Sequence, residues 1–85
     1  MKIIWKYVLQ PECKLEIPKG AELLSVHEQG EDICLWVLVD PTAEKEVRRF
    51  RGFGTGHDIP DMTLKFVGTA HLHGGGLVFH VFEQV

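Results

Sequence analysis

Ile33-Cys34-Leu35-Trp36-Val37-Leu38-Val39 is the longest apolar run in the chain. At a strand period of two, Cys34, Trp36 and Leu38 share one face, and Leu35 and Val37 share the other. A strand with one side in water alternates apolar and polar residues, and this one does not. It therefore lies centrally, or one of its faces is covered by a second subunit. Asp40-Pro41 ends it. On its N-terminal side Gln29-Gly30-Glu31 separates it from Glu22 to Glu28, a hairpin signal. Further out, Lys2 to Leu9 alternates Ile3, Trp5, Tyr7 and Leu9 on one face before Pro11. Lys14 to Ile17 is a weaker strand that stops at the Pro18-Lys19-Gly20 turn. Beyond the Thr42 to Lys45 loop, Glu46 to Phe53 resumes as a strand. Thr63 to His71 and Leu77 to Phe82 are joined across His73-Gly74-Gly75-Gly76 as a second hairpin. No segment keeps a helical period, and a helix over Ala21 to Val26 is the weakest alternative. The expectation is one all-β domain over residues 1–85, a small sandwich or barrel of six to seven mainly antiparallel strands.

Length and charge narrow the function classes. Eighty-five residues permit one domain. Such a chain buries roughly 60–65% of its unfolded surface, so stability is thin unless strands close on themselves or subunits associate. A homo-oligomer is expected. The net charge of −3 argues against a nucleic-acid coat protein, and no stable nucleic-acid complex is expected. Cys13 and Cys34 have no CxxC spacing, which leaves neither a zinc knuckle nor a redox motif; a disulfide between them stays open. Without a signal-peptide core or a transmembrane stretch, the expected location is the cytoplasm, with no membrane partner.

The arginines carry the first functional clue. All three fall within four positions, at Arg48, Arg49 and Arg51. On a strand Arg49 and Arg51 share a face with Val47 and Phe53, while Arg48 points the other way with Phe50. Two guanidinium groups beside an aromatic ring can hold a phosphate and stack on a base. Gly52-Phe53-Gly54-Thr55-Gly56 follows directly, and glycines there let backbone N–H groups approach an anion. The competing reading is a solvated edge strand whose arginines guard against aggregation.

Histidines offer a second constellation. His71 and His73 stand two apart, His80 lies across the expected hairpin, and His57 sits in the glycine loop. Three histidines on facing strands can bind zinc, or iron with a carboxylate. No carboxylate lies between His71 and His80, however, and His80 is set among Val78, Phe79, Val81 and Phe82, as a packed histidine would be. No metal and no cofactor is expected. His73-Gly74-Gly75-Gly76 mimics an esterase oxyanion motif, but Ser25 is the single serine and no GxSxG elbow exists. These glycines make a tight turn or leave room for a ligand against the backbone. Gly52-x-Gly54-x-Gly56 lacks the spacing and the βαβ frame of a dinucleotide fingerprint.

Four stretches, Ile4-Trp5-Lys6-Tyr7, Leu35 to Pro41, Phe53-Gly54-Thr55-Gly56-His57 and Leu72 to Glu83, resemble a family of small bacteriophage and prophage proteins whose domain has no assigned function. The resemblance spans nearly the whole chain, and the last two stretches are its most specific part. It implies a phage-encoded protein acting in the host bacterial cytoplasm. Small phage proteins of this size include anti-defence sponges, which sequester the cyclic nucleotide signals of CBASS or Thoeris immunity without cleaving them. The expected function is accordingly a binding protein for a small nucleotide, with no catalytic residues. Arg48, Arg49 and Arg51 would take the phosphates. Phe50, Phe53 or Trp36 would stack on the base. Gly54, Thr55, Gly56 and His57 would clamp the ligand, with His73 beside them. The alternatives are a metal-dependent enzyme using His57, Asp58, His71, His73 and His80, and a structural or host-protein-binding phage factor working through the Ile33 to Val39 face.

Overall fold

A computed structural model describes residues 1–85. Seven strands form: β1 (Ile3–Leu9), β2 (Glu12–Pro18), β3 (Glu22–Gln29), β4 (Asp32–Val39), β5 (Lys45–Gly54), β6 (Leu64–Leu72) and β7 (Leu77–Gln84). The only helical piece is one 3-10 turn at His73–Gly75, and no α-helix forms at Ala21 to Val26. No helix is long and apolar enough to cross a membrane.

All pairings are antiparallel and fall into two sheets, β1-β4-β3 and β2-β5-β7-β6. The two-sided apolar run is the centre of the smaller sheet, as its composition requires. Leu35, Val37 and Val39 point inward and are fully buried. They meet Ile17, Phe50, Ala70 and Val81 from the larger sheet and Leu9 and Val26 from their own. The core is thus the interlayer space of a sandwich. Its Cα envelope measures 39 × 31 × 15 Å, the short axis being two stacked sheets. The radius of gyration is 13.1 Å, against about 12 Å for a compact domain of this length, so the sandwich is broad and thin.

Local chemistry explains the corners. Gln29 pairs with Asp32, leaving Gly30-Glu31 as a two-residue hairpin loop with Gly30 at φ +63°, the place where a II′ turn needs glycine. Asp40 closes the exit from β4. Its Oδ1 accepts hydrogen bonds from the Thr42 backbone N–H (3.0 Å) and hydroxyl (2.7 Å), which hold the carboxyl below the usual carboxylate range. Where β3 meets β6 the two layers touch closely. A Cβ built on Gly68 would stand 3.1 Å from Val26 Cβ, so even an alanine there would need Val26 to give by a few tenths of an ångström.

Two bulges reset the register. One lies between Leu23 and Ser25 and turns Leu24 outward; the other lies between Phe66 and Gly68.

Candidate anion-binding face

β5 is an interior strand, flanked by β2 and β7. The arginines therefore do not guard an edge. They also do not act together. Arg48 points inward with Phe50. Its Nε and Nη2 donate to Glu83 Oε2 (2.6 Å) and Oε1 (2.7 Å), and its Nη1 donates to the Ala21 carbonyl (3.1 Å). The ion-paired side chains are 18% and 9% exposed. Hydrogen bonding to Glu83 holds the Arg48 guanidinium even more firmly protonated than usual. This bidentate pair sits at a cleft of about 360 Å³ between the layers, beside Ala21, Leu23, Lys65 and Val67. Its polar atoms are already satisfied, so it offers little to an incoming anion.

Arg49 and Arg51 point the other way, to the outer face of the larger sheet. Arg49 is exposed and forms no ion pair or hydrogen bond with any side chain. Arg51 reaches Glu12 only at 3.9 Å, donates weakly to the Met62 sulfur at 3.7 Å, and lies 5.5 Å over the Phe53 ring. Both line a groove of about 440 Å³ with Glu12, Lys14 and Gln84. That volume falls in the range of small-molecule sites.

An aromatic row crosses the same face. Arg51 stands opposite Phe82 on β7, and Phe82 opposite Phe66 on β6. Phe82 meets Phe53 and Phe66 edge-on, at centroid distances of 5.9 and 5.5 Å. Phe53 is buried beneath this contact, while Phe66 is 58% exposed. Phe66 is therefore the ring available for stacking on this face.

The glycine segment forms a β-turn. Gly54 O accepts the His57 N–H at 3.1 Å, and Gly56 has φ +86°, as the third residue of a type II turn must. The His57 ring folds back over Gly54, where a Cβ would meet it at 2.8 Å. Gly54, Thr55 and His57 share a smaller pocket of about 210 Å³ with Gly76, Leu77 and Val78, separate from the arginine groove. Between the two lies His80, opposite Phe53. Its Nε2 is 2.8 Å from the Thr55 hydroxyl and its Nδ1 is 3.3 Å from that of Thr69. Both ring nitrogens thus lie within hydrogen-bond distance of a hydroxyl, on a side chain that is half-buried.

The remaining candidates lie elsewhere. Phe50 is a core residue at 1% exposure; it borders the arginine groove, but its side chain belongs to the core that both sheets share. Trp36 lies on the outer face of the smaller sheet, on the opposite side of the sandwich, 4.4 Å from the His27 ring. His73 occupies the left-handed region (φ +51°) in the β6–β7 turn and contacts Glu31 at 3.5 Å across the tips of two hairpins. His71 and His73 therefore do not share a strand face. No three His, Cys, Asp or Glu side chains are grouped as metal ligands, and Cys13 and Cys34 are free thiols in different sheets. Phe66 and Phe82 are not among the residues expected at a binding site, and His80 enters the expectations only through the metal-enzyme alternative. Repeated aromatic-rich strands were the available signal, and strand register was the missing one.

The chain matches, over residues 1–85, the family described as a domain of unknown function, DUF7352, and it belongs to that family. No curated protein and no solved structure matches it.

Proposed function

We propose that this member of a family without an assigned activity captures a small phosphate-bearing nucleotide on the outer face of its four-stranded sheet. One observation carries the reading: Arg48 is consumed by Glu83, whereas Arg49 and Arg51 stand on one face with no strong acidic partner. Successive same-face residues on a strand are about 6.7 Å apart, a spacing that lets two guanidinium groups grip one phosphate or two linked ones. Phe66 lies two strands over from Arg51, about 10 Å away, and offers its ring to a base. Capture without cleavage, by a phage-encoded protein that removes a cyclic nucleotide immune signal in the host cytoplasm, is the role that best joins this face to the phage-protein resemblance.

Calorimetry against cyclic di- and trinucleotides and cyclic ADP-ribose isomers is the test, with chromatography of ligand released by heating. A desolvated charged hydrogen bond to phosphate is worth about 1.5–3 kcal/mol, so Arg49→Ala or Arg51→Ala weakens binding about tenfold or more. Phe66→Ala costs a comparable amount through lost stacking. A merely solvated arginine would cost almost nothing. No binding across the panel, or wild-type affinity in both arginine variants, defeats the proposal. Recovery of a cleaved product would keep the site and make the Thr55–His80 pair its first suspect.

A further inference from the structure

Four strands end the two sheets, and three of them are protected. β3 and β6 lie against each other at the Gly68–Val26 contact. β2 carries Glu12, Lys14 and Glu16 along its length and ends in Pro18. The fourth, β1, reads Ile3-Ile4-Trp5-Lys6-Tyr7-Val8-Leu9, with no proline, no bulge and one charge. Ile3, Ile4 and Val8 are exposed, and no backbone hydrogen bond outside the β1–β4 ladder involves its residues. Trp5 and Tyr7 face the interlayer space yet stay half-buried, because the sandwich has no further strand on that side. A long, apolar, uncovered edge beside an incompletely closed core is a pairing site.

We propose that β1 docks a second copy of this chain by antiparallel β1–β1 pairing, which joins two three-stranded sheets into one of six strands. This goes beyond the ligand reading and does not depend on it. Pairing must put inward residues opposite inward ones, which limits the two-fold axis to a whole residue of β1. Centring on Lys6 would set two lysines directly opposite each other. Centring on Tyr7 would bring Ile3 against Pro11, where the chain has already turned into β2. Centring on Trp5 avoids both. Trp5 then faces Trp5 of the second copy, Ile3 faces Tyr7, and Ile4 faces Lys6. The half-buried aromatics of both copies gain the cover that each lacks alone.

Sedimentation over the micromolar range reads the association, and oxidative cross-linking reads the register. The wild type sediments as a dimer. Ile4→Lys places like charges opposite Lys6 twice and raises the dissociation constant about tenfold, with an unchanged circular dichroism spectrum because Ile4 is 55% exposed. Leu24→Lys, on the outer face of the same sheet but away from this edge, leaves the dimer intact. Directly opposed residues stand about 4.5–5.5 Å apart, within disulfide reach, so Trp5→Cys cross-links above the background set by Cys13 and Cys34. Lys6→Cys does not. A monomer throughout the range overturns the proposal. So does a dimer broken equally by Leu24→Lys, which would place the contact on the sheet face, or one cross-linked through Lys6→Cys.

Discussion

Arg48→Met lowers the midpoint of thermal unfolding by about 12 °C or more, and adding Glu83→Leu recovers most of the loss. The Arg48–Glu83 pair is bidentate and largely withdrawn from water, with a third hydrogen bond to the Ala21 carbonyl. Removing the cation alone leaves Glu83 as an uncompensated charge among Phe50, Val81 and the interlayer cleft. Breaking a buried pair from one side costs about 3–5 kcal/mol, and the residual exposure of Arg48 places this case near the lower figure. In a domain of this size each kcal/mol moves the midpoint by about 4–8 °C. Replacing both partners by apolar groups removes the stranded charge, which is why the double variant recovers. Melting of the two single variants and the double variant, followed by circular dichroism, checks the cycle. A single variant that melts like the wild type would mean that the pair is solvated and contributes nothing.

Phe50→Ala costs about 3–5 kcal/mol of stability. Phe50 is among the largest fully buried side chains and joins the core that both sheets share. A domain of this length is stable by about 4–13 kcal/mol in total, so the loss is about a quarter or more of all it has. Arg49→Ala, its exposed neighbour on the same strand, stays within about 0.5 kcal/mol of the wild type. Urea midpoints of the two variants separate the inward from the outward row of β5. If Phe50→Ala kept its stability and lost nucleotide affinity, the ring would belong to the binding face after all.

Strand positions were legible because Gly, Pro and Asp bracket each apolar run, and alternation alone sent Arg48 and Phe50 one way and Arg49 and Arg51 the other. What lay across from each residue was not legible. The four-residue β6–β7 loop pairs Leu72 with Leu77, and unbroken counting from there would set Phe66 against Glu83, facing inward. The bulge after Phe66 moves it opposite Phe82 and turns it to the outer face. No residue type announces that step. Likewise, a sequence separation of 35 between Arg48 and Glu83 hides the partner that removes Arg48 from the patch. Trp36 was read as a surface or ligand residue from its two-sided strand. That it emerges on the far side of the sandwich follows from which sheet β4 joins, a fact of topology that composition does not encode.

That topology also sets the order in which the molecule can come together. Two pairings, β3 with β4 and β6 with β7, are hairpins between neighbours in the chain and can close within microseconds. The others are not local: β1 must wait for β4, β2 for β5, and β5 for β7. Emerging from a ribosome, β1 and β2 are made well before the strands they pair with, and the sheet holding Arg49 and Arg51 stays open until β7 arrives. A sandwich assembled from such distant pieces folds over milliseconds to seconds.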